Sequence, residues 1–164
     1  MLNRLLLLTG AAAAAALTAP RIGRTSAVPS TVWDSVYTAE QVTRGDSLYK
    51  AGCIKCHGAT LTSGDDGNAL TGDSFMDNWQ GMTLDQLYDR IRKSMPPDNP
   101  NSIPREQVPD LIAFLLSKNG FPAGTTPLSD DTEKLKDSRF EKTKRPRRSI
   151  WRRARSCARA SCGS

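Results

Sequence analysis

Cys53-Ile54-Lys55-Cys56-His57 is the stretch of sequence on which the interpretation of this chain depends. Its two thiols are three residues apart, so a single helical turn places them side by side. His57 follows directly and is the only histidine among the 164 residues. The pentapeptide therefore brings two thiols and one imidazole to a single point of the chain.

This spacing is typical of the site at which a c-type haem is attached covalently. Cys53 and Cys56 can each add to one vinyl group of the same porphyrin, which places the imidazole of His57 next to the iron. We therefore expect one covalently bound haem c per chain, with His57 as its first iron ligand. Because the chain has no second histidine, a second haem of this type and a bis-histidine haem are excluded.

Two other kinds of site also contain two cysteines at this spacing. A thiol–disulfide exchange site lies in a strand–helix setting, and no strand is predicted before Cys53. A structural zinc site needs four Cys or His ligands in matched pairs, whereas the only other cysteines, Cys157 and Cys162, lie in a different part of the chain. The spacing and its context favour haem over both.

Residues 1–27 are predicted to be a signal peptide. Arg4 precedes an apolar run of leucines and alanines that has the length of a secretory core and is short for a membrane span. Cleavage after Ala27 fits the preference for small residues at such sites. We therefore expect export to the bacterial periplasm, where haem c is attached. An uncleaved leader would instead anchor the protein to the membrane.

Charge divides the remainder of the chain into two parts. Residues 28–141 carry 17 acidic and 11 basic side chains, a net charge of −6, whereas residues 142–164 carry nine basic side chains and no acidic ones. The overall charge of +6 therefore does not indicate a basic domain, and no nucleic-acid partner is expected. The basic tail has too little apolar content to form a core and is expected to be disordered. Its composition is also typical of read-through translation.

Residues 28–141 suffice for one small domain with a modest core, which a covalent haem would fill. Capping boxes, apolar periodicity and helix-ending residues predict three helices in it. These run from Thr38 to about Gly52, from Thr83 to about Ser94, and from about Pro104 to Lys118.

The rest of the domain is predicted to be irregular. Gly58 to Asp77 is rich in Gly, Ser, Asp and Asn and is expected to be mostly loop. Pro109 is expected to kink the early turns of the third helix. No segment alternates apolar and polar residues as a half-buried strand does. The sequence therefore predicts an all-α domain of three to four helices with long loops around one covalent haem.

The domain resembles the small single-haem class I cytochrome c fold, and more closely the cytochrome c domains found beside or fused to quinoprotein dehydrogenases. The likeness extends from Val36 to Phe140. It rests on short segments distributed along that range, namely Gly45-x-x-x-Tyr49, Cys53-x-x-Cys-His57-Gly58, Gly67-Asn-Ala-Leu70, Trp79-x-Gly-x-Thr-Leu84, Ile91-Arg-x-x-Met-Pro96, Ala113-Phe-Leu-Leu116 and Asn119-Gly-Phe-Pro-Ala-Gly124.

The resemblance implies roles for several of these residues. Gly45 and Tyr49 would let the first helix cross the last one near Phe114. The backbone carbonyl of Asn68, which stands where the family usually has proline, would accept the proton on Nδ1 of His57.

The second iron ligand is expected to be a methionine, because haem of this kind is often held by Met opposite His. The candidates are Met76, Met82 and Met95. Met95 follows a predicted helix end, precedes the stiff Pro96-Pro97 pair and matches the Met-Pro position of the family. We therefore expect Met95 to be the ligand, and Met76 and Met82 to be flexible core side chains.

The resemblance implies an electron carrier rather than an enzyme. Ligation by His57 and Met95 leaves the iron without an open coordination position, which argues against oxygen activation. The expected function is single-electron transfer in the periplasm from a dehydrogenase, such as a quinoprotein dehydrogenase, to an oxidase or another cytochrome. Two alternatives remain, a haem-binding subunit of a larger oxidoreductase complex and a haem peroxidase or sensor.

Overall fold

The computed structural model describes residues 30–62 and 67–144. The predicted signal peptide and all but the first three residues of the basic tail lie outside these ranges. No helix in the described ranges is long and apolar enough to cross a membrane. The described part contains six helices, α1 (Ala39–Gly52), α2 (Ile54–His57), α3 (Gly72–Trp79), α4 (Leu84–Ser94), α5 (Val108–Lys118) and α6 (Thr132–Leu135), and a two-stranded parallel pairing of β1 (Ser30–Thr31) with β2 (Ser138–Arg139).

Both capping boxes that the sequence predicts are present. At the start of α1, the amide of Gln41 donates to the Thr38 hydroxyl at 3.5 Å and the amide of Thr38 donates to Oε1 of Gln41 at 3.3 Å. At the start of α4, the amide of Thr83 donates to Oε1 of Gln86 at 2.9 Å. Each box satisfies backbone groups that a helix N-terminus leaves without intrahelical partners. The first two predicted helices are therefore confirmed, together with their starting residues.

The third predicted helix is present, but it begins later than expected. A single 3₁₀ turn occupies Arg105–Gln107, and α5 starts at Val108. Pro109 thus lies in the first turn of α5, where its missing amide has no intrahelical acceptor to lose. The predicted kink at this proline is wrong, because a helix boundary accommodates the ring instead.

The loop predicted from Gly58 to Asp77 is only partly a loop. Its last third belongs to α3, which buries Phe75 and packs Met76 and Trp79 against the core. Glycine and aspartate lower the intrinsic helix preference of this segment, whereas its apolar side chains favour burial. The helical conformation of α3 is therefore stabilised by tertiary packing and could not be predicted from the composition of the segment.

The most extensive contact between helices in the described part is the crossing of α1 with α5. A Cβ atom on Gly45 would lie 2.0 Å from the Asp110 carbonyl oxygen and 2.8 Å from Cβ of Phe114. One turn further along α1, the rings of Tyr49 and Phe114 are 5.1 Å apart. Arg44 secures the crossing with two hydrogen bonds to the carboxylate of Asp110, at 2.7 and 2.8 Å. The crossing near Phe114 that the resemblance implies is confirmed.

After α5 the chain returns across the domain as a C-terminal segment, residues 128–142. The ring of Phe140 is fully buried and contacts the rings of Phe75, Trp79 and Phe121. Its amide donates to the Met82 carbonyl at 2.9 Å. These contacts make the C-terminal segment part of the core rather than a surface appendage.

Lys142, the first residue of the basic tail, contacts α3 and also Gln80, the residue that follows α3. The amide of Lys142 donates to Oε1 of Gln80 at 2.8 Å, and its ammonium group pairs with the carboxylate of Asp77. Both charged side chains are largely exposed. Solvent screening leaves such a pair with little effect on stability.

Replacing Gly45 with alanine should destabilise the domain by about 2 kcal/mol or more, because the added methyl group cannot fit against the Asp110 carbonyl. Gly52→Ala is the matched control on the same helix, since a Cβ there meets nothing within 4 Å. That variant should be neutral or stabilised by up to about 1 kcal/mol. Urea unfolding monitored by circular dichroism measures both; equal effects would contradict the close crossing.

Deleting residues 142–164 should leave folding and haem content intact, because the deletion removes only surface contacts from the described domain. Phe140→Ala in the full chain is the contrasting variant and should cost about 3 to 5 kcal/mol, since it empties a fully buried aromatic site. Visible spectra and thermal melting compare the two forms. Loss of haem or of cooperative melting in the truncated form would show that the tail belongs to the domain.

Candidate functional site

The pentapeptide Cys53–His57 forms one helical turn that is joined directly to α1. Cys53 is at once the last capping residue of α1 and the residue that starts α2. Its carbonyl accepts from the amides of Cys56 at 3.2 Å and His57 at 3.0 Å. Since α1 and not a strand precedes the motif, the setting of a thiol–disulfide exchange site is not found here.

Both motif cysteines are free thiols and are partly buried. Burial raises the pKa of the Cys53 thiol, and the neighbouring Cys56 sulfur raises it further. Cys53 is therefore protonated at neutral pH. In residues 30–62 and 67–144, no three side chains among His, Cys, Asp and Glu cluster as a metal site would require. The zinc alternative thus has no ligand set in that part of the chain.

The imidazole of His57 is oriented by a backbone carbonyl. Its Nδ1 lies 2.9 Å from the carbonyl oxygen of Asn68. Because a carbonyl can only accept, Nδ1 carries the proton, and in the neutral imidazole Nε2 then keeps its lone pair for a metal. The bond expected from the resemblance is confirmed, and asparagine in place of proline does not remove it, since the acceptor belongs to the backbone.

Gly67 is a site residue to which sequence reasoning assigned no role. A Cβ atom there would lie 2.7 Å from Nδ1 of His57 and 2.7 Å from the Cys56 carbonyl oxygen. Only a residue without a side chain lets the backbone pass this close to the motif. Gly67 therefore allows Asn68 to reach His57.

Tyr49 contacts the motif through its hydroxyl, which donates to the Gly58 carbonyl at 2.6 Å. Burial raises the pKa of Tyr49 to about 12, and the nearby Cys53 sulfur adds to the shift. The hydroxyl is therefore a neutral donor throughout the physiological pH range. Sequence reasoning placed Tyr49 at the helix crossing but did not assign it this bond.

The three candidate methionines lie in different surroundings. Met76 is on α3 and packs against the buried core, as expected for a core side chain. Met82 lies in the segment whose carbonyl accepts from Phe140. Met95 is partly buried in extended backbone directly after α4 and is followed by Pro96.

The donor set fits a covalent haem c. Two thiols that take part in no disulfide lie on one turn, and an imidazole with its Nε2 available follows them. The hydrogen bond from Nδ1 of His57 to the Asn68 carbonyl is the kind of outer contact that metal-ligating histidines usually have.

The sequence matches a known family. Residues 40–115 match the family model described as cytochrome c oxidase, cbb3-type, subunit III. Among proteins with curated descriptions, none matches the sequence significantly. The match begins in α1 and ends in α5, so it includes both motif cysteines, His57, Asn68 and Met95.

Among solved structures, the chain is similar to one in the crystal structure of the sulfane dehydrogenase SoxCD from Paracoccus pantotrophus. The two share 23% sequence identity with a TM-score of 0.46. The similarity covers 66% of this chain and 61% of the SoxCD chain. The Cys-x-x-Cys-His turn, the helical fold around it and the family match over residues 40–115 support a class I c-type cytochrome.

Proposed function

We propose that this protein is a periplasmic cytochrome with one haem c that transfers single electrons between a dehydrogenase and a respiratory acceptor. The observation that carries this proposal is the orientation of His57 by the Asn68 carbonyl. A fixed imidazole with a free Nε2, placed directly after two thiols, is what an axial haem ligand requires.

Four residues would hold the cofactor. Cys53 and Cys56 would form its thioether bonds, and His57 and Met95 would be the axial ligands of its iron. When bound, the haem supplies one-electron oxidation and reduction at the iron. With His57 and Met95 as its ligands, the iron would have no coordination position for a substrate, so the protein would act as a carrier and not as an enzyme.

The choice of Met95 over the other methionines has structural support. Met76 already serves the core. Met82 lies in a backbone segment held by hydrogen bonds to Phe140 on both sides, through the Gly81 amide and the Met82 carbonyl. Met95 has neither the core packing of Met76 nor the backbone bonds of Met82 with Phe140. It follows the end of α4, whose buried face fixes the position of that helix in the domain.

The partners would be other redox proteins that meet the cytochrome briefly. Small, transient interfaces are usual for electron transfer. The net charge of −6 on residues 28–141 favours a partner with a basic surface and an association rate that falls with salt. The resemblance to domains associated with quinoprotein dehydrogenases suggests such an enzyme as the donor, and an oxidase or another cytochrome as the acceptor.

Two alternatives make different demands on the same site. The matched family is described as an oxidase subunit, so the chain could instead be a haem-binding subunit of a larger oxidoreductase complex; purification in a fixed ratio with other chains would favour this. A peroxidase or sensor needs a vacant or displaceable coordination position. Ready binding of carbon monoxide by the resting ferrous protein would favour that class.

The exported protein should carry one covalent haem on Cys53 and Cys56. Intact-mass measurement should show the mass of the chain plus one haem, and the haem stain should survive a denaturing gel. Replacing both tail cysteines with serine, Cys157→Ser and Cys162→Ser, is the control and should change neither result. Haem that is extracted by acidic organic solvent, leaving unmodified thiols, would overturn the proposal.

Met95→Ala should abolish the weak long-wavelength sulfur-to-iron charge-transfer band of the ferric protein. It should also let the ferrous protein bind carbon monoxide and lower the midpoint potential, because a thioether ligand favours ferrous iron. Met76→Ala and Met82→Ala should change none of these properties. If one of those variants loses the band and Met95→Ala keeps it, the ligand assignment is wrong.

A further inference from the structure

The described part of the chain contains three tyrosines whose rings are buried. The hydroxyl of each donates a hydrogen bond to the backbone carbonyl of a residue in another segment of the chain. Each ring is at most 3% exposed. The three bonds are Tyr37 to the Phe121 carbonyl at 2.5 Å, Tyr49 to the Gly58 carbonyl at 2.6 Å, and Tyr88 to the Arg105 carbonyl at 3.3 Å. The three hydrogen bonds are of the same chemical kind but lie at different positions in the fold. Only the acceptor of Tyr49 adjoins the haem-binding motif.

Tyr49 forms one hydrogen bond with the first residue of the pentapeptide and another with the residue that follows the pentapeptide. Its backbone carbonyl accepts from the amide of Cys53 at 2.8 Å. Its hydroxyl donates to the carbonyl of Gly58, the residue directly after His57. The ring between these two groups is held against Phe114 of α5, with ring centres 5.1 Å apart. One residue thus connects the start and the end of the motif to the crossing of α1 with α5.

The end of the motif needs such a contact. A helix of four residues, such as α2, is too short to be stable by its own hydrogen bonds. Gly58 has φ 72° and ψ 166°, a conformation that glycine adopts readily and leaves readily. The Gly58 amide donates to the Ile54 carbonyl at 2.9 Å, and contacts from outside this short turn are needed to hold the residue after His57 in place.

We propose that the Tyr49 hydroxyl is a positioning group for His57, because it holds the backbone after His57 so that the imidazole stays aligned with the Asn68 carbonyl. This inference rests on the proposed function, since it assigns Tyr49 a role toward a haem ligand. Asn68 fixes the ring of His57, and Tyr49 fixes its backbone. The Tyr49 hydroxyl bonds to the backbone of Gly58, so its effect on the imidazole would pass through the backbone next to His57.

The test compares Tyr49→Phe with Tyr37→Phe and Tyr88→Phe in the haem-loaded full chain. Each change removes one buried hydroxyl and keeps the ring, so any general loss of stability is shared by the controls. Amide hydrogen exchange by nuclear magnetic resonance is read at Cys56, His57 and Gly58. Exchange of the Nδ1 proton of His57 with solvent is the second measurement, since a purely structural role of the hydroxyl would not change it selectively.

Tyr49→Phe should accelerate amide exchange at the motif by about fivefold relative to wild type, the effect of one lost hydrogen bond. Exchange of the His57 Nδ1 proton should accelerate with it, and neither control should change the two rates at the motif. Equal acceleration in all three variants, or no acceleration in Tyr49→Phe, would overturn the inference.

The wild-type protein provides a measurement that does not depend on how any variant folds. Its Tyr49 hydroxyl proton should exchange slowly with solvent and show a cross-peak to the Hα protons of Gly58. A rapidly exchanging hydroxyl would overturn the inference. If the purified chain carries no covalent haem, the proposed function fails; the same motif amides then still decide whether Tyr49 holds the turn, so the two failures are distinguishable.

Discussion

The contact of Gly45 with the Asp110 carbonyl is the constraint from which the position of the site follows. Tyr49 lies one turn beyond Gly45, and Cys53 lies one turn beyond Tyr49, so the three share one face of α1. The face that packs on α5 therefore leads directly to the first thiol of the motif. The distance between α1 and α5, set by a residue without a side chain, determines where Cys53 leaves the helix.

The same arrangement explains how a very short helix holds its geometry. The four residues of α2 gain little from their own hydrogen bonds. They are instead held from three directions: by the end of α1 through Cys53, by the Asn68 carbonyl at the ring of His57, and by Tyr49 at Gly58. The first and third of these contacts link the motif to α1, and the second links it to the segment that carries Asn68, so the turn depends on the fold around it.

How much of this could be predicted from the sequence depends on how local each signal is. The capping boxes at Thr38 and Thr83 lie within four residues, and both helices begin where these boxes place them. The start of α3 carries no such box, and its burial of Phe75 depends on Phe140, which is distant in the chain. Composition therefore indicated a loop.

The site shows the same division between local and distant signals. The thiols and imidazole of the motif are adjacent in sequence, so spacing alone identified them. The Asn68 bond followed from family resemblance and not from any pattern in this chain. The contacts of Gly67 and of the Tyr49 hydroxyl are with backbone carbonyls, which carry no sequence signal, and only the three-dimensional structure shows these contacts.

Under the proposed function, the two axial ligands of the iron would be supported in unequal ways. His57 lies in a turn that is bonded to the helix crossing, whereas Met95 begins a largely exposed loop that extends to Ser102. That loop has two backbone turns of its own and two bonds to α4, from the Met95 amide to the Ile91 carbonyl and from the guanidinium of Arg92 to the Asn101 carbonyl. Loss of a ligand would therefore occur first on the methionine side, where the local restraints are fewer. A stable Met95 loop favours an electron carrier, and an opening loop would give the vacant position that a peroxidase or sensor needs. The distinction between these functions thus depends on residues 95–102, since the motif itself serves all of them equally.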